Sequence, residues 1–373
     1  MEASVVSIAP MLDVTTSFER YLIRCMSVKC ELYSEMMVSE TLLYSVYGED
    51  ILDFDKCEHP IVCQLGGGDP DRVGEAAKMV AEKGYDAINL NCGCPSNKVF
   101  SHDFGAVLML DPERVSKVVL AIQRVTSLPV TVKCRIGVDD HDSYEELVRF
   151  ISIVSGVSPV TDSDSSAEGE NEPRVKHFII HARKCILQGL GTKENRSVPP
   201  LQYSWVYRLL DDFPTIDFTI NGGISSYAEM KTLLDRESER LHRKVKGVMI
   251  GRMVMKNPYL LRHIDKCFYG VPDPGLSRRQ IVEKYVDYVE HFLATHHKWK
   301  PNATEISRPL LTLFAGVRRG GSVFRKSLQD KLTVQKIPFR EAVFQSLRCF
   351  DDAVLDEVDE FDPSEMDKYC VEL

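Results

Sequence analysis

Several things are scarce in this 373-residue sequence, and each absence narrows the choices. It contains no run of about 18 apolar residues, so no membrane span is expected. Residues 1–9 are short, carry no lysine or arginine, and lead straight into a strand pattern, so a secretory signal is not expected either; a cytosolic protein is. The eleven cysteines are scattered, with no CxxC and no paired Cys/His spacing, which argues against a disulfide framework and a structural zinc site. Excess positive charge is also lacking: the net charge is −9, an average that argues against a nucleic-acid binder.

The distribution of charge reverses that average. Residues 276–350 carry a net +8, while residues 351–373 carry −9. A basic segment followed by an acidic tail points to a polyanion contact on the basic part, unless the charges are simply a solvated helical face. The length fits two units, one of which can be a barrel of about 250 residues.

Short apolar runs alternate with stretches of helical length. Strands are predicted at Ser4–Ala9, Glu31–Met36, Ile61–Leu65, Asp86–Leu90, Val130–Cys134, His177–His181, Ile216–Ile220 and Gly247–Ile250. Helices are predicted between them at Pro70–Lys83, Pro112–Val125, Ser143–Ile153, Leu201–Asp211 and Ser226–Leu234. Asp69-Pro70 and Asp111-Pro112 read as N-caps followed by a first-turn proline. Eight βα units imply a closed (β/α)8 TIM barrel over residues 1–270; an open doubly wound sheet is the alternative. The Ser/Asp/Glu-rich stretch 155–175 reads as a disordered acidic insert. Val271–Gly275 reads as a linker. Helices predicted at Ser277–His297, Glu305–Val317, Ser322–Lys331 and Phe339–Leu355 make a small all-helical domain over 276–350, coincident with the basic segment, with an acidic tail at 351–373.

In such barrels the chemistry sits on the loops after the strands. There the sequence places Pro10-Met11-Leu12, Gln64, Asn91-Cys92-Gly93-Cys94-Pro95, Lys133 and Arg135, His181, Asn221-Gly222-Gly223, and Gly251-Arg252. Glycines after strands seven and eight let backbone N–H groups approach a phosphate, and Arg252 adds charge. Lys133, in an apolar strand, needs an anionic partner: a bound cofactor or a carboxylate inside the barrel. Gln64 and His181 can hydrogen-bond a heterocycle or a phosphate. Cys94, between Gly93 and Pro95, is the candidate proton donor, with a thiol proton available near neutral pH. Cys92 reads as a packed thiol.

These stretches also resemble a known family. The runs Ala9–Asp13 (APMLD), Ile88–Ser96 (INLNCGCPS), Val130–Gly137 (VTVKCRIG), His181–Lys184 (HARK), Lys193–Leu201 (KENRSVPPL), Ile220–Ile224 (INGGI) and Gly247–Arg252 (GVMIGR) resemble the tRNA-dihydrouridine synthases. The likeness is strongest to the A subfamily, which reduces uridines 20 and 20a of the D-loop. It implies an FMN-bound barrel, NADPH as reductant, and a helical C-terminal domain that grips tRNA, in a monomer without a metal. By motif position it implies FMN contacts from Pro10, Met11, Leu12, Gln64, Lys133, His181, Asn221, Gly222, Gly223, Gly251 and Arg252. Cys94 is then the catalytic cysteine. Asn91, Lys193 and Arg196 face the uridine or nearby tRNA, and Arg308 and Arg325 are the arginines of the helical domain. Val14 and Thr16 depart from the family's Trp and Asp after Met-Leu-Asp, and Phe324 and Lys326 from its Trp and Arg. Other readings of the residues are a flavin barrel acting on a free pyrimidine and a non-catalytic RNA binder.

Overall fold

The structure is a computed structural model that describes residues 6–96, 99, 102–160, 172–296 and 299–373. Eight parallel strands form one sheet: β1 (Val6–Ile8), β2 (Leu32–Val38), β3 (Ile61–Gly66), β4 (Ala87–Cys92), β5 (Val130–Arg135), β6 (His177–His181), β7 (Asp217–Asn221) and β8 (Gly247–Ile250). They run in the order β1-β8-β7-β6-β5-β4-β3-β2. The ring closes where Ile8 N donates to Glu31 O at 2.9 Å and Glu31 N to Val6 O at 3.0 Å. Ser4 and Val5 of the first predicted strand lie outside the described residues.

A helix follows each strand: α1 (Ser17–Arg24), α2 (Ser39–Tyr44), α3 (Pro70–Lys83), α4 (Pro112–Val125), α5 (Tyr144–Ser155), α6 (Tyr203–Asp212), α7 (Tyr227–Asp235) and α8 (Arg252–Lys256). Local chemistry sets their ends. Asp69 caps α3 by accepting from Asp71 N and Arg72 N, and Gly84 ends it at φ 92°. Ser143 and Glu146 form a capping box at the start of α5. Strand alternation divides the apolar residues in two. One set, including Ile88, Leu90, Cys92 and Cys134, packs outward against the helices. A small inner set, Ala9, Tyr33, Val62, Ile179 and Met249, plugs the barrel.

Beyond the barrel lie α9 (Arg278–Thr295), α10 (Ala303–Leu313), α11 (Gly321–Thr333), α12 (Phe339–Leu347) and α13 (Asp352–Asp356). They pack on α1: Tyr21 stacks on Tyr288 at 4.0 Å, and Phe18 meets Phe292 edge-on at 5.0 Å. One continuous set of buried side chains runs from barrel to helices. No described helix is long and apolar enough to cross a membrane.

The structure differs from the sequence-based picture at four places. The helix predicted over Phe339–Leu355 is two helices, because Phe350 turns inward to stack on Phe314 at 4.3 Å. The expected linker is pinned: the Asp273 carboxylate accepts from Lys266 N at 2.9 Å and lies 3.1 Å from His263 Nδ1. The ends of the acidic insert are packed, with Ser155 and Val175 buried and Arg174 N donating to Ser155 O at 2.8 Å; residues 161–171 lie outside the described residues, as does His297 at the end of the predicted helix. Finally, the acidic tail lies along the molecule. Asp352 and Asp356 pair with Arg279, and Asp359 with Arg262. Tyr369 and Val371 then pair with Tyr227, at the start of α7, and Ser225 before it, where Tyr227 N donates to Tyr369 O at 3.1 Å and Val371 N to Ser225 O at 3.0 Å.

Candidate active site

Polar residues at inward-facing strand positions build the barrel mouth into a hydrogen-bonded network. Gln64 Nε2 donates to Asn89 Oδ1 at 2.7 Å, and Asn89 Nδ2 to Thr131 Oγ1 at 2.8 Å. Asn91 Nδ2 donates to Gln64 Oε1 at 2.8 Å, while Asn91 Oδ1 accepts from Gly93 N at 3.1 Å and Cys94 N at 3.0 Å. Asn91 therefore holds the Cys94 loop in place. Cys92, by strand parity, points outward and is fully buried.

Cys94 is half-buried, and its carbonyl accepts from Ala106 N at 3.0 Å. Burial pushes its thiol up; a backbone hydrogen bond from Ser96 and the cations Arg135, Lys133 and Arg196 oppose this without reversing it. The thiol thus keeps its proton at neutral pH, the state a proton donor needs.

Lys133 Nζ donates to Asn221 Oδ1 at 3.0 Å, and Asn221 Nδ2 passes on to Met249 O at 2.8 Å. Burial, then Arg135, lowers the Lys133 ammonium to about 8. The carboxylate partner weighed for it is absent among the described residues; its partner is a neutral amide. His181 is buried and held well below its ordinary pKa, by burial first and then by Arg135, Lys133, Arg183 and Arg252. It is a neutral imidazole. Among the described residues none of Lys133, Arg135, Arg183, Arg196 or Arg252 has a carboxylate within 4.0 Å. Their mutual repulsion is left for an incoming anion to relieve.

Gly222 and Gly223, at φ 109° and 77°, follow β7. A Cβ on Gly222 would strike the His181 ring, and one on Gly223 the Leu201 side chain. Tyr203 donates its hydroxyl to Gly222 O from the start of α6. Gly251 comes close to Met11, whose Sδ would lie 3.3 Å from an added Cβ. Pro10, Met11 and Leu12 thus border the same opening, Leu12 exposed. Thr16 caps α1 by accepting from Glu19 N.

Arg196 sits on the loop after β6, close enough for its charge to act on Cys94, and Lys193 on the same loop is exposed. Arg325 is exposed on α11, with no side-chain bond to the barrel among the described residues. Arg308, expected to contact tRNA, donates from Nη1 to Asp13 O of the β1 loop.

Two further residues organise the mouth. Arg135, at the end of β5, donates to Gly93 O at 3.0 Å, Lys184 O at 3.1 Å and Asn195 O at 2.8 Å, so one guanidinium ties three loops. Asn195, fully buried, donates to Ile186 O at 2.8 Å and Leu190 O at 3.1 Å and accepts from Ile186 N at 2.7 Å. The sequence signal for both is slight: a charge at a strand end, and the one residue of Lys193–Arg196 with no obvious ligand role beside Glu194.

A family model described as dihydrouridine synthase matches residues 7–347. The chain belongs to the dihydrouridine synthase family. It is an oxidoreductase of that family. The chain is 40% identical over 324 residues to the tRNA-dihydrouridine(20/20a) synthase of Shewanella oneidensis, covering 87% of this chain and 88% of that protein. It is 39% identical over 349 residues to the protein of the same name from Vibrio cholerae, covering 90% of this chain and 97% of that one. A Synechocystis protein of that name is 40% identical over 324 residues, 87% of this chain and 88% of its own. The network around Cys94 lies within the family match, and the strap formed by 351–373 lies beyond it.

Proposed function

We propose that the protein reduces uridine to 5,6-dihydrouridine in tRNA, at positions 20 and 20a of the D-loop, with FMN held in the barrel mouth and NADPH as the source of electrons. The observation that carries this reading is the Cys94 thiol, its backbone fixed by Asn91, near a half-buried lysine that has no carboxylate partner among the described residues. Relatives named tRNA-dihydrouridine(20/20a) synthases, alike over 88% and 97% of their own length, support the substrate and the positions.

FMN suits these residues on three counts. The positive φ angles of Gly222 and Gly223 let backbone N–H groups turn toward a phosphate, and a side chain at either would strike His181 or Leu201. Arg252 lacks a carboxylate and can pair with that phosphate. Lys133 needs an anionic edge, which the pyrimidine end of a flavin offers. When bound, FMN would supply hydride to C6 of the uracil. The protein's part is to orient and to protonate. Cys94 Sγ–H would give its proton to C5, completing the addition across C5=C6. Asn91 keeps the Cys94 backbone in register for that transfer, and Arg135 braces the loops on either side.

For tRNA, the unpaired cations matter more than the total. Arg340 is engaged by Asp287 and Glu290, and Arg279 by the tail. Arg318, Arg319, Arg325, Lys326 and Lys336 are exposed and have no carboxylate partner among the described residues. With Lys193 and Arg196 at the mouth they offer phosphate contacts, which would offset the cost, about a few kcal/mol, of unstacking the uridine. A cytoplasmic place of action accords with eleven unpaired cysteines. The test is to map dihydrouridine in tRNA from cells lacking the protein. Loss at 20 and 20a, restored by the wild type and not by Cys94→Ala, is expected; unchanged D-loops overturn the proposal.

A further inference from the structure

The β1 loop, which borders the mouth at Met11 and Leu12, is held from two sides. From within the barrel, Thr15 closes it: Met11 N donates to Thr15 Oγ1 at 3.0 Å, and Thr15 N to Met11 O at 2.9 Å. At its tip Asp13 adopts φ 59°, unusual for a residue with a side chain, and its N–H donates to Glu35 Oε1 of β2. From the helices, Arg308 Nη1 donates to Asp13 O. The two bonds grip opposite sides of one strained residue.

Arg308 is also placed by what surrounds it. Its neighbours Ile306, Pro309 and Leu310 are buried, so α10 fixes the arginine's root firmly. Glu19 on α1 is buried, and one of its carboxylate oxygens has no hydrogen-bond partner. Burial raises that carboxyl to about 8, with the Arg308 charge opposing. Arg308 thus sits between a buried acid and a backbone carbonyl, half-buried itself. The helix that bears it leads directly into α11 and its exposed cations.

We propose that Arg308 is a positioning residue that couples the two halves of the protein: it fastens the flavin-side β1 loop to the helices that receive tRNA, so that each ligand's binding favours the other's. The inference rests on the function proposed above. By linkage, flavin must raise tRNA affinity by the same factor as tRNA raises flavin affinity.

The experiment measures tRNA dissociation constants for flavin-free and flavin-loaded protein, and FMN release by recovery of flavin fluorescence with and without tRNA. For the wild type, loading is expected to tighten tRNA binding by about fivefold or more, with FMN release slowed to match. Arg308→Ala is expected to abolish that difference while leaving the flavin-free affinity and its salt dependence within about twofold. Arg308→Lys, which keeps the charge but ends one bond short of Nη1 and so of Asp13 O, is expected to behave like Ala. Glu35→Ala, which releases the other side of Asp13, is expected to uncouple likewise, and Glu35→Gln to retain coupling because it keeps the acceptor. This pair tests the idea should Arg308→Ala fail to fold. The proposal is overturned if Arg308→Ala weakens flavin-free tRNA binding with a reduced salt slope and Arg308→Lys restores it, since that describes a phosphate contact. It is also overturned if wild-type protein binds both ligands independently. Failure to bind FMN or tRNA at all would instead sink the function on which it rests.

Discussion

At Cys94 a single substitution separates chemistry from scaffold. Cys94→Ala should keep bound flavin and its reduction by NADPH while product formation falls by about 10²–10⁴-fold, the usual worth of a positioned proton donor; absorbance and product mapping on the same sample would decide it. Lys133 should show a trade between stability and function. Its ammonium, lowered to about 8 from an ordinary 10.5, is charged below pH 8 and neutral above, so FMN binding by the empty protein should weaken as pH rises through about 8. The sign for folding is opposite: the unfolded chain holds the proton longer, so the burial penalty is full below about 8 and gone above 10.5. Lys133→Met should therefore raise the melting temperature of the flavin-free protein at pH 7 and lose FMN retention. Cys94 is legible in the sequence as a thiol between Gly93 and Pro95 in a strand-exit loop, and Lys133 as a charge that breaks an apolar strand. Arg135 is legible as a strand-end charge, but its role is not: what it bonds are three backbone carbonyls, which only the closed barrel brings together.

At the scale of elements, the loop after β6 depends on one amide. Asn195→Ala would remove the side chain's bonds to Ile186 and Leu190 and free the residues that carry Lys193 and Arg196. Expected are a cost of about 1–3 kcal/mol, faster proteolysis within 186–200, and a raised KM for tRNA with FMN binding intact. Strands and capped helices are readable in advance because their signals are local, as Asp69-Pro70 and the Ser143–Glu146 box are. The break after α12 is not, because Phe350 leaves the helix to fill a space made by Phe314 and Phe324, two residues distant in sequence.

For the whole molecule, the charge asymmetry is visible in the sequence, but its destination is not. The tail's acids neutralise Arg262 and Arg279 and leave the cations of 318–336 bare. Removing 351–373 would take away a net −9 and the buried Leu355 and Tyr369. The truncated protein should melt at lower temperature and bind unmodified RNA of any sequence more tightly, with a steeper dependence on salt; filter binding across a salt series would measure it.

The strap also sets an order of events. Tyr227 finds its backbone partner in Tyr369, which the ribosome adds more than a hundred residues later. At about 5–20 residues per second this is a wait of roughly 7–30 s. Through that interval the barrel can close and the flavin loop can form, yet the turn beside Gly222 and Gly223 stands unbraced. A nascent chain stalled before residue 369 should thus fold its sheet while releasing its cofactor more readily than the finished one.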